Sequence, residues 1–251
     1  MVIGIDIGSR TVKCVVMERG EIGEFQVKVG GSDPYDTAIS LLKQYPSCSI
    51  AATGYGRHSL KESGFPVKLV ITEIKAHTLG ARHLFPTCRT VIDVGGQDSK
   101  VIALDQAGNF TNFQMNDKCA AGTGKFLEIM AQNLGYELDT FARVGLDVSQ
   151  PVRINSMCTV FAESEVISLL SKRIDKAAIT KGLHEAMAGR IAAMARRVGV
   201  TEDVVFSGGV ARNPTLVKLL EEKLMVKIKV PREPDITGAI GAALALEELE
   251  S

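Results

Sequence analysis

Val2-Ile3-Gly4-Ile5-Asp6-Ile7-Gly8-Ser9-Arg10-Thr11-Val12-Lys13-Cys14-Val15-Val16-Met17-Glu18 is an apolar run, a short turn carrying Asp and Gly, and a second apolar run. Two strands separated by so short a turn predict an antiparallel hairpin. The pattern returns in Thr90-Val91-Ile92-Asp93-Val94-Gly95-Gly96-Gln97-Asp98-Ser99-Lys100-Val101-Ile102-Ala103-Leu104-Asp105. Asp6 aligns with Asp93, Gly8 with Gly95 and Lys13 with Lys100, all at a separation of 93 − 6 = 87 positions. A repeat on this scale duplicates a whole supersecondary unit, so it sets the architecture before any single residue is weighed. In each copy an Asp closes the first strand and aims a carboxylate into the turn. The glycines let backbone amides approach a ligand closely. Two such hairpins facing one another make a clamp for phosphate, with two acidic groups for a metal ion. A single D-x-G hairpin is an ordinary turn; its duplication is what points to function.

Two later glycine-containing junctions extend the pattern. Val204-Val205-Phe206-Ser207-Gly208-Gly209-Val210-Ala211-Arg212-Asn213-Pro214 is a buried β-run ending in Ser-Gly-Gly, with a helix expected from about Thr215 to Lys223. Glycines at a strand-to-helix junction allow a planar base or a ribose to lie against the backbone. Thr237-Gly238-Ala239-Ile240-Gly241-Ala242-Ala243 opens a last helix whose small residues permit close packing on a sheet or on a nucleotide.

The chain has 251 residues, enough for one large domain or two lobes. Its formal net charge is +0, which argues against a nucleic-acid or membrane-surface partner. No apolar run approaches the ~18 residues of a membrane span. The opening residues form a strand pattern without a basic leader, so no signal peptide is expected. Five cysteines are an odd number without regular spacing, which speaks against a disulfide scaffold and for a reduced, cytoplasmic setting. With no Trp and few aromatic residues, a stacking platform for single-stranded nucleic acid is not expected.

Two of the cysteines stand apart. Cys119 lies in Asn116-Asp117-Lys118-Cys119-Ala120-Ala121-Gly122-Thr123-Gly124-Lys125-Phe126-Leu127-Glu128, and Cys158 in Asn155-Ser156-Met157-Cys158-Thr159-Val160-Phe161-Ala162-Glu163-Ser164-Glu165. In both, a polar turn leads into a helix. The positive end of a helix dipole stabilises thiolates, which suits an anionic iron–sulfur cluster. Two ligands are too few for a cubane, which usually wants four, so two copies of the chain would have to share one cluster across a twofold axis. Cys14, Cys48 and Cys88 lie in or beside apolar runs and read as small core hydrophobes. The histidines, His58, His77, His83 and His184, show no metal spacing among themselves. Gly122-Thr123-Gly124-Lys125 is no Walker A site: the full motif needs Gly at Cys119 and Ser or Thr at Phe126.

Two D-x-G hairpins, a late S-G-G turn and a final G-A-x-G-A helix together resemble the actin-like ATPase superfamily over nearly the whole chain. The resemblance implies an α/β fold of two ribonuclease H-like lobes with a nucleotide cleft between them. We place the first lobe at residues 1–87, with the helix over 237–251 returning to it, and the second at 88–236, carrying both cluster cysteines. It further implies phosphate contacts from the turn Gly8, Ser9 and Arg10, with Lys13 behind it, and from Gly95, Gly96, Gln97 and Ser99. Magnesium would be held, mostly through water, near Asp6 and Asp93. Adenosine would lie against Gly208, Gly209, Val210 and Asn213, with Gly238 close by.

Within that superfamily the strings DVGGQDSK, NDKCAAGTGKFLE and CTVFAESEV are similar to the activators of 2-hydroxyacyl-CoA dehydratases, of the BadF/BadG/BcrA/BcrD type. The two cysteines stand 158 − 119 = 39 residues apart, as in that family. The resemblance implies ATP, ADP and magnesium as ligands. It also implies a homodimer holding one 4Fe–4S cluster by Cys119 and Cys158 of each copy. A ferredoxin or flavodoxin would supply electrons and an iron–sulfur dehydratase or reductase would accept them, in an anaerobic cytoplasm. Asp6 and Asp93 are the expected magnesium-shell residues, and Gln97 or Asp98 would orient the attacking water. Glu73, opening a helix after a strand, either positions water or metal or simply complements the helix dipole. Lys13 and Lys100 either contact phosphate or are solvated strand lysines. The stretch from Glu163 to Arg173 has an apolar face at helical spacing that reads as packing. An Ala-rich amphipathic helix is expected around Leu183 to Val198. Three other readings remain open: the same electron donor serving a benzoyl-CoA reductase or double-cubane protein, a small-molecule kinase of this fold, and a nucleotide sensor whose cysteines are structural or bind zinc.

Overall fold

The computed structural model describes residues 1–31, 33–156 and 158–251. The first sheet uses β1 (Val2–Ile7), β2 (Thr11–Glu18) and β3 (Glu21–Val29). They are followed by α1 (Pro34–Leu42), β4 (Ser49–Thr53), α2 (Arg57–Glu62), β5 (Val67–Val70) and α3 (Glu73–Leu84). The second uses β6 (Thr90–Val94), β7 (Ser99–Leu104) and β8 (Phe110–Asn116), then α4 (Gly124–Leu134), α5 (Leu138–Val144), α6 (Thr159–Ser171) and α7 (Lys176–Val198). It closes with β9 (Val204–Ser207), α8 (Pro214–Leu224) and β10 (Ile228–Lys229), and α9 (Thr237–Glu250) ends the chain.

The sheet orders are β3-β2-β1-β4-β5 and β10-β9-β6-β7-β8. Read from opposite ends they are one topology used twice: a three-stranded antiparallel meander whose first strand also pairs in parallel with a later one. The repeat is kept at the level of register. Asp6 faces Lys13 across the first hairpin and Asp93 faces Lys100 across the second, again 87 positions on. The turns match as well, since Gly8 N–H donates to Thr11 O at 3.1 Å and Gly95 N–H to Asp98 O at 2.9 Å.

The central strands β1 and β6 are buried along their whole length because each sheet is covered on both faces. One face of the first sheet packs on α1 through Ile3, Ile5, Leu41 and Leu42. The other packs on α9 through Val2, Val15, Ala239 and Ala243. The small residues at 237–243 serve this packing of helix on sheet and helix on helix. A Cβ on Gly241 would run into the carbonyl of Ala76 on α3, and one on Gly4 into that of Ala239. The core of the second sheet is built from α4, α7 and α8 around Phe126, Met187, Phe206 and Leu216.

The long helix α7 starts seven residues before the expected Leu183, capped by the Asp175 side chain, which accepts from Ala178 N–H. Its buried first turns include Lys181 and Gly182, which break an apolar stripe and hid the start. The face of α6 is the clearer departure. Within residues 163–173, Val166 packs inward as expected but Ile167 is 60% exposed, and just ahead of that stretch Val160 and Phe161 are 66% and 68% exposed. Among the described residues, no helix is long and apolar enough to cross a membrane.

Candidate functional site

The two hairpin turns converge on a cleft of about 510 Å³. It is lined from one side by Asp6, Gly8, Ser9, Arg10 and Lys13, and from the other by Asp93, Gly95, Gly96 and Gln97. Glu73 reaches it from the start of α3, and Gly208, Gly209, Val210 and Asn213 close one end.

Neither lysine is a solvated strand residue. Lys13 Nζ lies 3.0 Å from Asp6 Oδ2. Burial works against its charge, but Asp6, with Asp93 and Asp235 behind it, outweighs that and raises its pKa. Lys100 is the centre of the site. It is 2% exposed, and its ammonium lies 2.6 Å from Glu73, 2.6 Å from Asp98 and 3.4 Å from Asp93. Burial alone would discharge it; three carboxylates hold its pKa above the ordinary lysine value.

The same cluster sets the carboxylates apart. Burial pushes the Asp93 carboxyl up, but His77, Lys100 and the Ser207 hydroxyl more than reverse this, and its pKa is lowered. Ser207 Oγ donates to Asp93 Oδ1 at 3.0 Å. For Asp98, burial wins over Lys100, helped by the nearby charges of Asp93 and Glu73, and its pKa is raised. The same cluster therefore shifts Asp93 and Asp98 in opposite directions.

At the floor, Gly208 at φ +83° sets its backbone against Val94 O and Asp93, where a Cβ would clash. The first sheet carries the same device: Gly54, after β4, has φ +89° and packs on Asp6 and Ile7 O. Asn213 is held rigidly. Its Oδ1 caps α8 by accepting from Leu216 N–H at 2.9 Å, and its amide nitrogen lies 2.9 Å from His184 Nε2. Burial depresses the His184 pKa to about 4, so the ring is neutral, with Nδ1–H donating to Thr180 O and Nε2 accepting from Asn213.

Two of the expected contacts lie elsewhere. Ser99 is buried with its hydroxyl toward Met194 and does not face the cleft, because side chains alternate along β7 and its neighbour Lys100 takes the inward position. Gly238 sits behind the cleft wall; a Cβ there would meet His77 at 3.0 Å, so its role is to leave room for that ring. His77 is a residue the sequence reading passed over. Its Nδ1 lies 3.3 Å from Asp93 Oδ1 and 3.4 Å from Ser207 Oγ. The available signal was not metal spacing but the i, i+4 interval from Glu73, which puts both on one face of α3. Asp235, paired with Arg212 at 2.7 Å, and Gly54 were likewise missed.

Eight carboxylates line the cleft, and five of them, Asp6, Glu73, Asp93, Asp98 and Asp235, gather around the two lysines. That acidic excess suits a divalent cation. Among the described residues no three such groups are placed to hold a metal ion by themselves, and Lys100 occupies the point where Glu73, Asp93 and Asp98 meet, so magnesium here would be held through water and phosphate oxygens.

Cys119 and Cys158 lie outside the cleft. Cys119 is half-buried in the turn before α4; the helix begins only at Gly124, capped at Thr123, so this thiol is five residues ahead of the first turn and not on it. Its Sγ lies 3.6 Å from the Arg190 guanidinium, which also donates to Ala121 O at 3.0 Å. Cys158 is exposed and occupies the N-cap position of α6, with no capping bond from its side chain. Glu165, two turns along that helix, accepts from the N–H groups of Asn155 and Ser156 at 3.0 and 2.9 Å and pins the turn before the thiol. Helices α4 and α6 pack on each other. Cys14 and Cys88 are core residues, as expected.

The comparisons with known proteins agree along the full length. A model of the BadF/BadG/BcrA/BcrD ATPase family matches residues 3–245. The chain is 45% identical over 251 residues to the (R)-2-hydroxyglutaryl-CoA dehydratase activating ATPase of Acidaminococcus fermentans, covering 96% of this chain and 95% of that one. It is 43% identical to the activator of lactoyl-CoA dehydratase of Anaerotignum propionicum, again covering 96% and 95%. Among solved structures it matches the activator of the 2-hydroxyisocaproyl-CoA dehydratase from Clostridium difficile with bound ADPNP. The TM-score is 0.90 at 37% identity, over 99% of this chain and 95% of that one.

Proposed function

The chain belongs to the BadF/BadG/BcrA/BcrD ATPase family, and from that premise we propose that it is the ATP-driven electron donor that activates a 2-hydroxyacyl-CoA dehydratase. The observation that carries this reading is the pairing of two features in one chain: a duplicated Asp–Lys cleft for a nucleotide, and two thiols, Cys119 and Cys158, ahead of helices that pack together.

In the cleft, Asp6 and Asp93 hold the water shell of magnesium, and the backbone of Gly8, Gly95 and Gly96 lies along the phosphates. Lys13 and Lys100 stay charged throughout and offset the phosphate charge. Gln97 positions the attacking water, and Glu73, tied to Lys100, keeps that side of the cleft in place. Gly208, Gly209, Val210 and the His184-braced Asn213 carry the nucleoside.

The residues present fit an iron–sulfur cluster shared between copies. The donors are thiols, one exposed at a helix N-terminus and one beside a guanidinium, and both settings favour an anion. Two thiols per copy are half of the four that a cubane usually takes, so in this reading a second copy completes the set. Cys119 and Cys158 of each copy would hold the 4Fe–4S cluster, which would supply one low-potential electron to an iron–sulfur acceptor, with a ferredoxin or flavodoxin as the electron source. ATP drives this only so far as it binds one arrangement of the chain better than the other. An exposed cluster of this kind belongs in an anaerobic cytoplasm.

The test is anaerobic purification with iron, sulfide and zinc analysis on the wild type and Cys119→Ala. About four irons per two chains, lost in the variant, is the expected result. No iron in either protein after anaerobic reconstitution sinks the reading, and zinc in its place turns the cysteines into a structural site.

A further inference from the structure

The second phosphate turn is bonded directly to the helix that follows Cys119. Gly124 N–H donates to Gly95 O at 2.9 Å and Lys125 N–H to Gly96 O at 2.8 Å. These are the first two residues of α4, so two of the amides a helix leaves unpaired are spent on the turn that faces the cleft. One turn further along α4, Glu128 Oε1 accepts from Arg10 at 2.6 Å. Arg10 belongs to the opposite phosphate turn, and to reach Glu128 its side chain crosses the face of Gly96, where a Cβ would clash with it. Arg10 and Glu128 both line the cleft.

We propose that Glu128 is a nucleotide-sensing positioning residue: its carboxylate holds Arg10, nucleotide phosphate competes for the same guanidinium, and the exchange releases α4 and with it the Cys119 turn. The proposal rests on the reading of the cleft as a nucleotide site. The chemistry of the competition is simple. Carboxylate and phosphate are both bidentate partners for a guanidinium, and phosphate carries the greater charge. Glu128 keeps a second cation in reach, Lys125 at 3.6 Å, so its release does not leave it unpaired. The anchoring through Gly95 and Gly96 then passes any movement of the phosphate turn straight into the first turn of α4. Since the coupling is a free energy shared by two sites, whatever Glu128 does to nucleotide affinity, nucleotide must do to the Glu128 contact.

The experiment measures two quantities on the full-length wild type and Glu128→Gln. One is the dissociation constant for ADP and for a non-hydrolysable ATP analogue. The other is amide hydrogen exchange over the peptide 119–134. Removing the competitor is expected to tighten nucleotide binding about two- to fivefold, the range of an exposed ion pair. E128Q without nucleotide should show the exchange pattern that the wild type shows only with it. A wild type whose 119–134 exchange does not respond to nucleotide overturns the latch without reference to any variant. E128Q that binds and exchanges like the wild type overturns it too, and leaves the nucleotide site standing. A wild type that binds neither nucleotide overturns the underlying reading as well.

Discussion

Asp93 holds its charge at the bottom of the cleft against nearly complete burial. Its carboxyl is destabilised by desolvation and rescued by His77, Lys100 and Ser207, with the net result that its pKa falls. A carboxylate whose folded pKa lies below its unfolded value of about 3.9 stabilises the fold above that pH, and the contribution is lost as pH falls through the folded value. Asp93→Asn should therefore cost about 1–3 kcal/mol near neutrality. Urea midpoints should show the gap to wild type narrowing as pH drops below about 4. A gap of equal size at pH 3 would show that shape, not charge, is what Asp93 contributes. The thiols divide in the same way by setting. Burial raises Cys14 to about 12 and Cys88 to about 11, so both stay protonated and shielded at pH 8. In iron-free protein, iodoacetamide should modify Cys158 first, Cys119 more slowly, and Cys14 and Cys88 only on unfolding; peptide mass mapping reads the order. Labelling of Cys88 in the native chain at the rate of Cys158 would contradict the burial on which this rests. At this scale the sequence was legible where a residue sits in a repeat, as Asp6, Lys13 and Asp93 do. It was opaque where the partner comes from another element, as for His77: its i, i+4 interval from Glu73 fixes its face of α3, but nothing local marks it as the neighbour of Asp93 on β6.

Elements meet at glycines. Helix α9 lies so close to α3 that Gly241 and Ala76 O, and Gly80 and Thr237 O, leave no room for a methyl group. Gly241→Ala must push the helices apart and should destabilise by about 1–3 kcal/mol or more. Gly189, inside α7, has nothing within 4 Å of its absent Cβ. Gly189→Ala should therefore stabilise the chain by about 0.5–1 kcal/mol, through helix propensity and a smaller unfolded ensemble. Thermal midpoints of the two variants should move in opposite directions; a shift of the same sign in both would mean that packing at 241 is looser than described. The small-residue run 237–243 announced close packing in the sequence, though not its partner, since helix-on-helix and helix-on-nucleotide contacts ask for the same residues. The beginning of α7 was hidden for a related reason: Lys181 and Gly182 are buried there, one against the grain of burial by type and the other against helix propensity.

For the whole molecule, the two sheets repeat one strand order; the 87-residue offset foretold the paired hairpins at their centres, and the resemblance the two lobes around them. What did not follow is the outer face of α6. Spacing reads the stretch 163–173 as packing, yet Ile167 within it is exposed, as are Val160 and Phe161 just after Cys158. If two copies meet around these thiols, Phe161 lies in the seam. Phe161→Glu should yield a folded monomer that retains no iron, measured by sedimentation and metal analysis, with a thermal midpoint close to wild type because the side chain is 68% exposed in the single chain. A dimeric, iron-containing F161E protein would move the seam to another face.

The chain passes between the two sheets twice, once after α3 on the way to β6 and once after β10 on the way to α9, which lies back against β1. A body tied at a single point can swing and twist freely. One tied at two points turns about the line that joins them, like a door on a pair of pins. Work done by a ligand at one edge of such a door is not scattered over many directions but arrives at the far edge as a single stroke.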